Sequence, residues 1–316
     1  MELPEGGLWC PLSSYIGGEF LKILVFIKKV QDIKIPLAYN EPTRKLKTDW
    51  NVPILNPADS SAIELALRIK DNLPETHITL IHLGPASGER WIREGLALGC
   101  DEGVRIWEEG FDEVQTQGKA LIFARVAKIL NFDLILTGVK SQDTGNGQIG
   151  IFLASYLKAP CINSVITFEI KEMTVIATKG LAHGYREYIS SPIPLVVAVE
   201  AHEELNRYAS LPALLEANEK EIPCFDLPQI GIPRELIQQK DASLIFGPLQ
   251  FPRSRLKFIP PPDSSLPAFE RIKKLIEGVV ASREGKLVRG EEDHVVEELF
   301  QTLLQEGWLN HLRKNS

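Results

Sequence analysis

Paired cysteines are missing from this sequence: Cys10, Cys100, Cys161 and Cys224 are scattered, with no CxxC pair and no histidine at ligand spacing. Neither a zinc site nor an iron–sulfur cluster is suggested, and a reducing, cytoplasmic setting fits. Long apolar runs are missing too. None approaches the ~20 residues that cross a bilayer, so no direct membrane insertion is expected. The first twenty residues lack the apolar stretch of a secretory signal, and residues 1–21 read as an N-terminal extension. Basic charge is in deficit, with 35 Lys and Arg against 42 Asp and Glu and a net charge of −7, so no nucleic-acid surface is expected. The P-loop, the GxSxG elbow and HExxH are all absent. A P-loop ATPase, a serine hydrolase and a zinc protease are thus disfavoured. No catalytic constellation stands out.

What is present is an ordinary apolar content, 44% of 316 residues, enough to bury a core. From Lys22 to about Gly150, short apolar runs alternate with amphipathic stretches. KILVFIKKV reads as a first strand, and its near-continuous hydrophobicity suits a parallel strand covered on both faces. NPADSSAIELALRIKDN follows as a helix, with Asn56 placed to cap and Pro57 at the first helical position. ITLIHLGP, EGVRIWE and DLILTGV read as further strands, with SGERWIREGLALG and QGKALIFARVAKIL as helices between them. This alternation predicts an α/β fold with a doubly wound parallel sheet, whose ligands bind beyond the carboxyl ends of the strands. Past Cys161, SVITFEI, KEMTVIATKG, REYISSPI and LVVAVE lie too close together for helical crossovers, so added antiparallel strands are expected at one edge. From about Pro223 to Asp263 the chain reads as an extended proline-rich arm. Two helices follow it, and in the last one Val296, Leu299, Phe300, Leu303 and Leu304 form one apolar stripe. The expected domains are 22–222 for the α/β part and 223–316 for the arm and its helices.

Three strand ends carry suggestive loops: Lys28 and Lys29, Leu83-Gly84-Pro85, and the stretch LTGVKSQDTGNGQIG from Leu136 to Gly150. Gly145, Gly147 and Gly150 permit close backbone approach, so amides at the following helix start could face a phosphate. The same residues also serve as ordinary turn chemistry. Asp143 suits a general base, a helix cap or a ribose contact equally.

Taken in order, these pieces resemble the beta subunit of electron transfer flavoproteins, the family that includes the nitrogen-fixation FixA proteins. The resembling residues are KILVFIKKVQD, NPADSSAIELALRIKD, LGPASGERWIREGLALGCDEG, DLILTGVKSQDTGNGQIG and NRYASLPALLEA, with GKLVRGEEDHVVEELFQTLLQEGWL at the C-terminus. The resemblance runs from about Lys22 to Leu309. It implies an adenine nucleotide alpha hydrolase-like sheet and a heterodimer whose alpha subunit carries the redox FAD, while the beta subunit binds AMP or, in electron-bifurcating members, a second FAD. An electron-carrier subunit, not a stand-alone enzyme, is implied. Carried across residue by residue, the pocket is lined by Phe26 and Lys28, by Asn56 and by Leu83. The loop after the fourth strand adds Ser141, Asp143, Thr144, Gly147, Gln148 and Ile149.

The departures bear on the ligand. Bifurcating members read close to DGDTAQVG where this chain reads DTGNGQIG, so Gly145 replaces a second Asp. Non-bifurcating members have Asn at the position of Gly147. AMP is favoured and FAD stays open. NRYASLPALLEA is similar to the family's recognition loop, which makes Leu211 the expected docking residue for acyl-CoA or other dehydrogenases, with a quinone- or ferredoxin-linked acceptor downstream. Without the resemblance, Leu211 and Pro212 would simply begin a helix. The C-terminal helices are expected to contact the alpha subunit. The alternative is a universal-stress-type adenine-nucleotide-binding protein of the same architecture, acting without an alpha subunit.

Overall fold

The computed structural model describes residues 21–35, 39–40, 45–46, 52–111, 114–201, 207–242, 262–277 and 288–305. The N-terminal extension, apart from Leu21, and the connection FPRSRLKFIPP lie outside these residues. The chain divides into two compact units, 1–250 and 251–316.

The first unit is built on a nine-stranded sheet. Its strands are β1 (Lys22–Ile27), β6 (His77–Leu83), β7 (Glu102–Ile106), β8 (Leu134–Gly138), β9 (Cys161–Lys171), β10 (Thr174–Gly180), β11 (Arg186–Pro192), β12 (Leu195–Val199) and β13 (Cys224–Phe225). Two small antiparallel pairs lie between β1 and the first helix: β2 (Lys29–Gln31) with β5 (Pro53–Leu55), and β3 (Tyr39–Asn40) with β4 (Lys45–Leu46). The order across the sheet is β11-β10-β9-β12-β8-β1-β6-β7-β13. From β9 to β13 every pairing is parallel, and only β10 runs against the rest.

β1 shows why both faces are covered. Ile23, Val25 and Ile27 join the core beneath α1 (Pro57–Asn72) and α2 (Glu89–Ala97), while Leu24 and Phe26 join the one beneath α3 (Thr116–Leu130) and α4 (Ile149–Leu157). A strand buried on both sides has no polar face to show, which is what its sequence announces. The helix α5 (Leu211–Glu219) packs on the α1–α2 side through Ala217, and α6 (Leu227–Ile230) and α7 (Arg234–Asp241) pack on the other.

Two segments differ from the sequence reading. LVVAVE is not one more antiparallel edge strand: β12 is buried throughout and sits parallel between β8 and β9. Residues 223–242, read as part of the arm, instead form β13, α6 and α7 on the first unit. Ile230, Ile232 and Ile237 supply the buried apolar surface that holds them there. Within the second unit, α8 (Ala268–Glu277) exposes Phe269, Ile272 and Leu275, and α9 (Glu292–Gln305) exposes Val296, Leu299 and Phe300 of the expected stripe. Among the described residues no helix is long and apolar enough to cross a membrane.

Candidate functional site

The chain goes from β1 to β6 and β7 on one side, then returns to place β8 on the other side of β1. The loops after β1 and β8 therefore diverge to opposite faces, toward α1 and α4 respectively. Such a switch point opens a crevice at the carboxyl edge of a parallel sheet.

Both loops are tied into that crevice by one network. Lys28 stands between the end of β1 and the start of β2. Its Nζ donates to Asp143 Oδ1 at 2.7 Å and to Ser141 Oγ at 3.3 Å. The Ser141 and Thr144 hydroxyls share a hydrogen bond of 2.7 Å, and the Thr144 amide donates to Asp143 Oδ1 at 2.6 Å. Partial burial pushes the Asp143 carboxyl up, but the Lys28 ammonium outweighs it, with help from Ser141 and the Thr144 amide, and the group titrates below its ordinary value.

Asn56 is the N-cap residue of α1, yet its side chain does not cap the helix. Its Nδ2 donates to Asp59 Oδ1 at 3.0 Å and to the Lys140 carbonyl at 3.1 Å, and its Oδ1 accepts from the Gln142 amide at 3.1 Å. Asn56 thus shapes the loop after β8, with both Nδ2 hydrogens engaged. Pairing of β2 with β5 delivers it there, since the Asn56 amide donates to the Lys28 carbonyl at 3.0 Å.

Asp59, in the first turn of α1, was not identifiable from the sequence. Buried among donors, its carboxylate accepts from the amides of Lys28 (2.7 Å) and Gly138 (3.0 Å) and from Asn56, which joins α1 to the ends of both β1 and β8. Burial raises its pKa to about 7 against these hydrogen bonds and the Lys28 charge. A Cβ at Gly138 would collide with Asp59 Oδ1, so the contact also dictates the glycine. The only sequence signal was the acid two residues into a helix after Asn-Pro.

The remaining predicted residues fall around this cluster. Gly147, Gln148 and Ile149 lead into α4, whose start has no side-chain cap; its first ladder bond runs from the Phe152 amide to the Gln148 carbonyl at 3.0 Å. The preceding amides stand outside the helix ladder and point along the axis, as in sites that receive anions. Gly145 and Gly147 have φ of +65° and +63°, a region that glycine enters freely and that Asp and Asn enter more readily than other side chains. The Phe26 side chain is buried in the core against Phe123, with ring centroids 4.5 Å apart, and offers the crevice only its backbone. Leu83 ends β6, one strand over. Next to it, the buried His82 donates from Nδ1 to the Ile27 carbonyl at 3.1 Å, and burial holds the ring neutral by lowering its pKa. Leu211 lies outside this network, at the start of α5.

Fold and site together define a doubly wound α/β protein with a polar, cation-bearing crevice at its switch point. The Electron transfer flavoprotein domain model matches residues 49–229, more than half of the chain, and the protein belongs to that family. Its relatives include an electron transfer flavoprotein subunit beta of Bacillus subtilis, 30% identical over 70% of this chain and 84% of that one. The caffeyl-CoA reductase-Etf complex subunit CarD of Acetobacterium woodii is 32% identical over 68% and 82%. The human electron transfer flavoprotein subunit beta is 27% identical over 67% and 84%. Membership places the chain among the flavoproteins of electron transport.

Proposed function

We propose that this chain is the beta subunit of a heterodimeric electron transfer flavoprotein, holding AMP in preference to a second FAD in the crevice between β1 and β8. Electrons then pass through an FAD carried mainly by the alpha subunit. The observation that carries the reading is the convergence of Lys28, Asn56, Ser141, Asp143 and Thr144 on that crevice. Each has a part to play. The Lys28 ammonium and the uncapped start of α4, with Gly147, Gln148 and Ile149, suit a phosphate. Asp143, Ser141 and Thr144 suit ribose hydroxyls. Asn56 and Asp59 hold the loop in shape, and Leu83 and the Phe26 backbone close the side toward β6. Bound AMP supplies no redox chemistry; it orders the loops. AMP is favoured because Gly145 supplies no carboxylate at the position where bifurcating members carry a second Asp.

Leu211 is proposed to dock acyl-CoA or other dehydrogenases, a choice supported by the relative named for a CoA-ester reductase complex. A quinone- or ferredoxin-linked acceptor takes the electrons onward. Co-expression with the alpha subunit tests the reading. A one-to-one heterodimer carrying one FAD is expected, and the chain alone should carry no flavin. A homodimer that binds ATP tightly and ignores the alpha subunit would overturn it in favour of a universal-stress-type protein.

A further inference from the structure

The helix α5 has nine residues, and only Ala217 among them is buried. Isolated helices shorter than about 12 residues are marginal in water, so this one depends on what holds its ends. Both ends are held by arginines. Just before α5, Arg207 Nε donates to both oxygens of Glu64 on α1, at 3.0 and 2.9 Å, and its Nη1 and Nη2 reach Asp71 at 3.3 and 2.5 Å. Glu64 is buried, so this half of the fork is shielded from water. At the C-terminal end of α5, Arg93 Nη1 from α2 donates to the carbonyls of Ala217 (2.7 Å), Asn218 (2.9 Å) and Lys220 (3.0 Å). A guanidinium there satisfies carbonyls that the helix leaves open and complements its dipole. Between the two anchors the segment turns apolar groups outward: Tyr208 is 96% exposed, Leu211 69% and Leu215 58%.

We infer that Arg207 and Arg93 are positioning residues, which keep α5 and its exposed leucines in the geometry that a partner dehydrogenase meets. The inference rests on the docking reading of Leu211. An anchor side chain on a fixed helix docks without first being ordered, and the ordering cost saved appears as affinity. Because α5 buries only Ala217, loosening it leaves the sheet and its crevice intact.

The test uses the heterodimer with its alpha subunit, an acyl-CoA dehydrogenase and its acyl-CoA substrate, reading reduction of the alpha-subunit FAD. Arg207→Ala and Arg93→Ala are each expected to raise the KM for the heterodimer about tenfold with kcat unchanged. Hydrogen exchange should rise within 207–219 only. Arg207→Lys keeps the charge without the fork and should fall in between. Leu211→Ala serves as the control for docking itself. If exchange in 207–219 stays at the wild-type level, the arginines do not hold the segment and the inference fails. If exchange rises while KM stays put and Leu211→Ala raises KM, docking does not need the positioning, and only this inference falls. A wild-type KM in Leu211→Ala removes the docking reading and takes the inference with it.

Discussion

Replacing Asp59 by Asn probes the joint between α1 and the two strand ends. The folded carboxyl titrates at about 7, against 3.8 for the ordinary group, because it is buried. A raised pKa means that the folded state binds the proton more tightly than the unfolded one. The resulting stability is complete below about pH 4 and is lost as pH climbs through about 7. Each unit of difference corresponds to about 1.4 kcal/mol, so between pH 5 and pH 8 this one group removes roughly 2–3 kcal/mol from wild type. Asn does not titrate, but its NH2 cannot accept the backbone N–H that one carboxyl oxygen receives from Lys28 or Gly138, which adds a cost independent of pH. Asp59→Asn should be the less stable at pH 5 by roughly 1–3 kcal/mol, with the balance moving toward it by roughly 2–3 kcal/mol at pH 8. Urea unfolding at pH 5, 6, 7 and 8 reads the difference directly, since other groups cancel between the two chains. Parallel curves, or a gap that moves toward wild type, would mean that the three donors keep Asp59 charged throughout, and the assignment of burial as the dominant effect would be refuted.

Lys28→Ala should leave the fold intact and lower the nucleotide retained by the purified heterodimer at least about tenfold, because the crevice loses its central cation; Asp143, freed of its partner, should titrate higher, as NMR would read. Gly147→Ala should cost about 1–2 kcal/mol in urea unfolding, since φ is +63° there. In the native protein, a thiol reagent followed by peptide mass spectrometry should find exposed Cys224 labelled before Cys100, which is buried with its thiol pushed up to about 12 and should react only on unfolding.

Local chemistry carried much of the fold into the sequence. The double burial of β1 appears as an unbroken apolar run, and the start of α1 at Pro57 is marked by Asn-Pro. β12 carries the same unbroken signal, but its position was hidden because its neighbour β8 lies some sixty residues back, across a hairpin excursion. The prolines of 223–242 misled for another reason. Pro228 lies in the first turn of α6 and Pro233 is the N-cap of α7, so they start helices where an extended arm was expected. At the site, the glycines and polar residues after β8 were legible because turn chemistry is local. Asp59 was not, since its partners at Lys28 and Gly138 converge only when β1 and β8 pair. Arg207 was hidden in the same way, with Glu64 lying 143 residues away.

The proposal that this subunit holds its own adenine nucleotide is most directly tested by releasing bound nucleotides with acid from the purified heterodimer and identifying them by chromatography. One AMP and one FAD per heterodimer are expected, with the AMP lost in Lys28→Ala and the FAD kept. A single FAD and no further adenine nucleotide would contradict it.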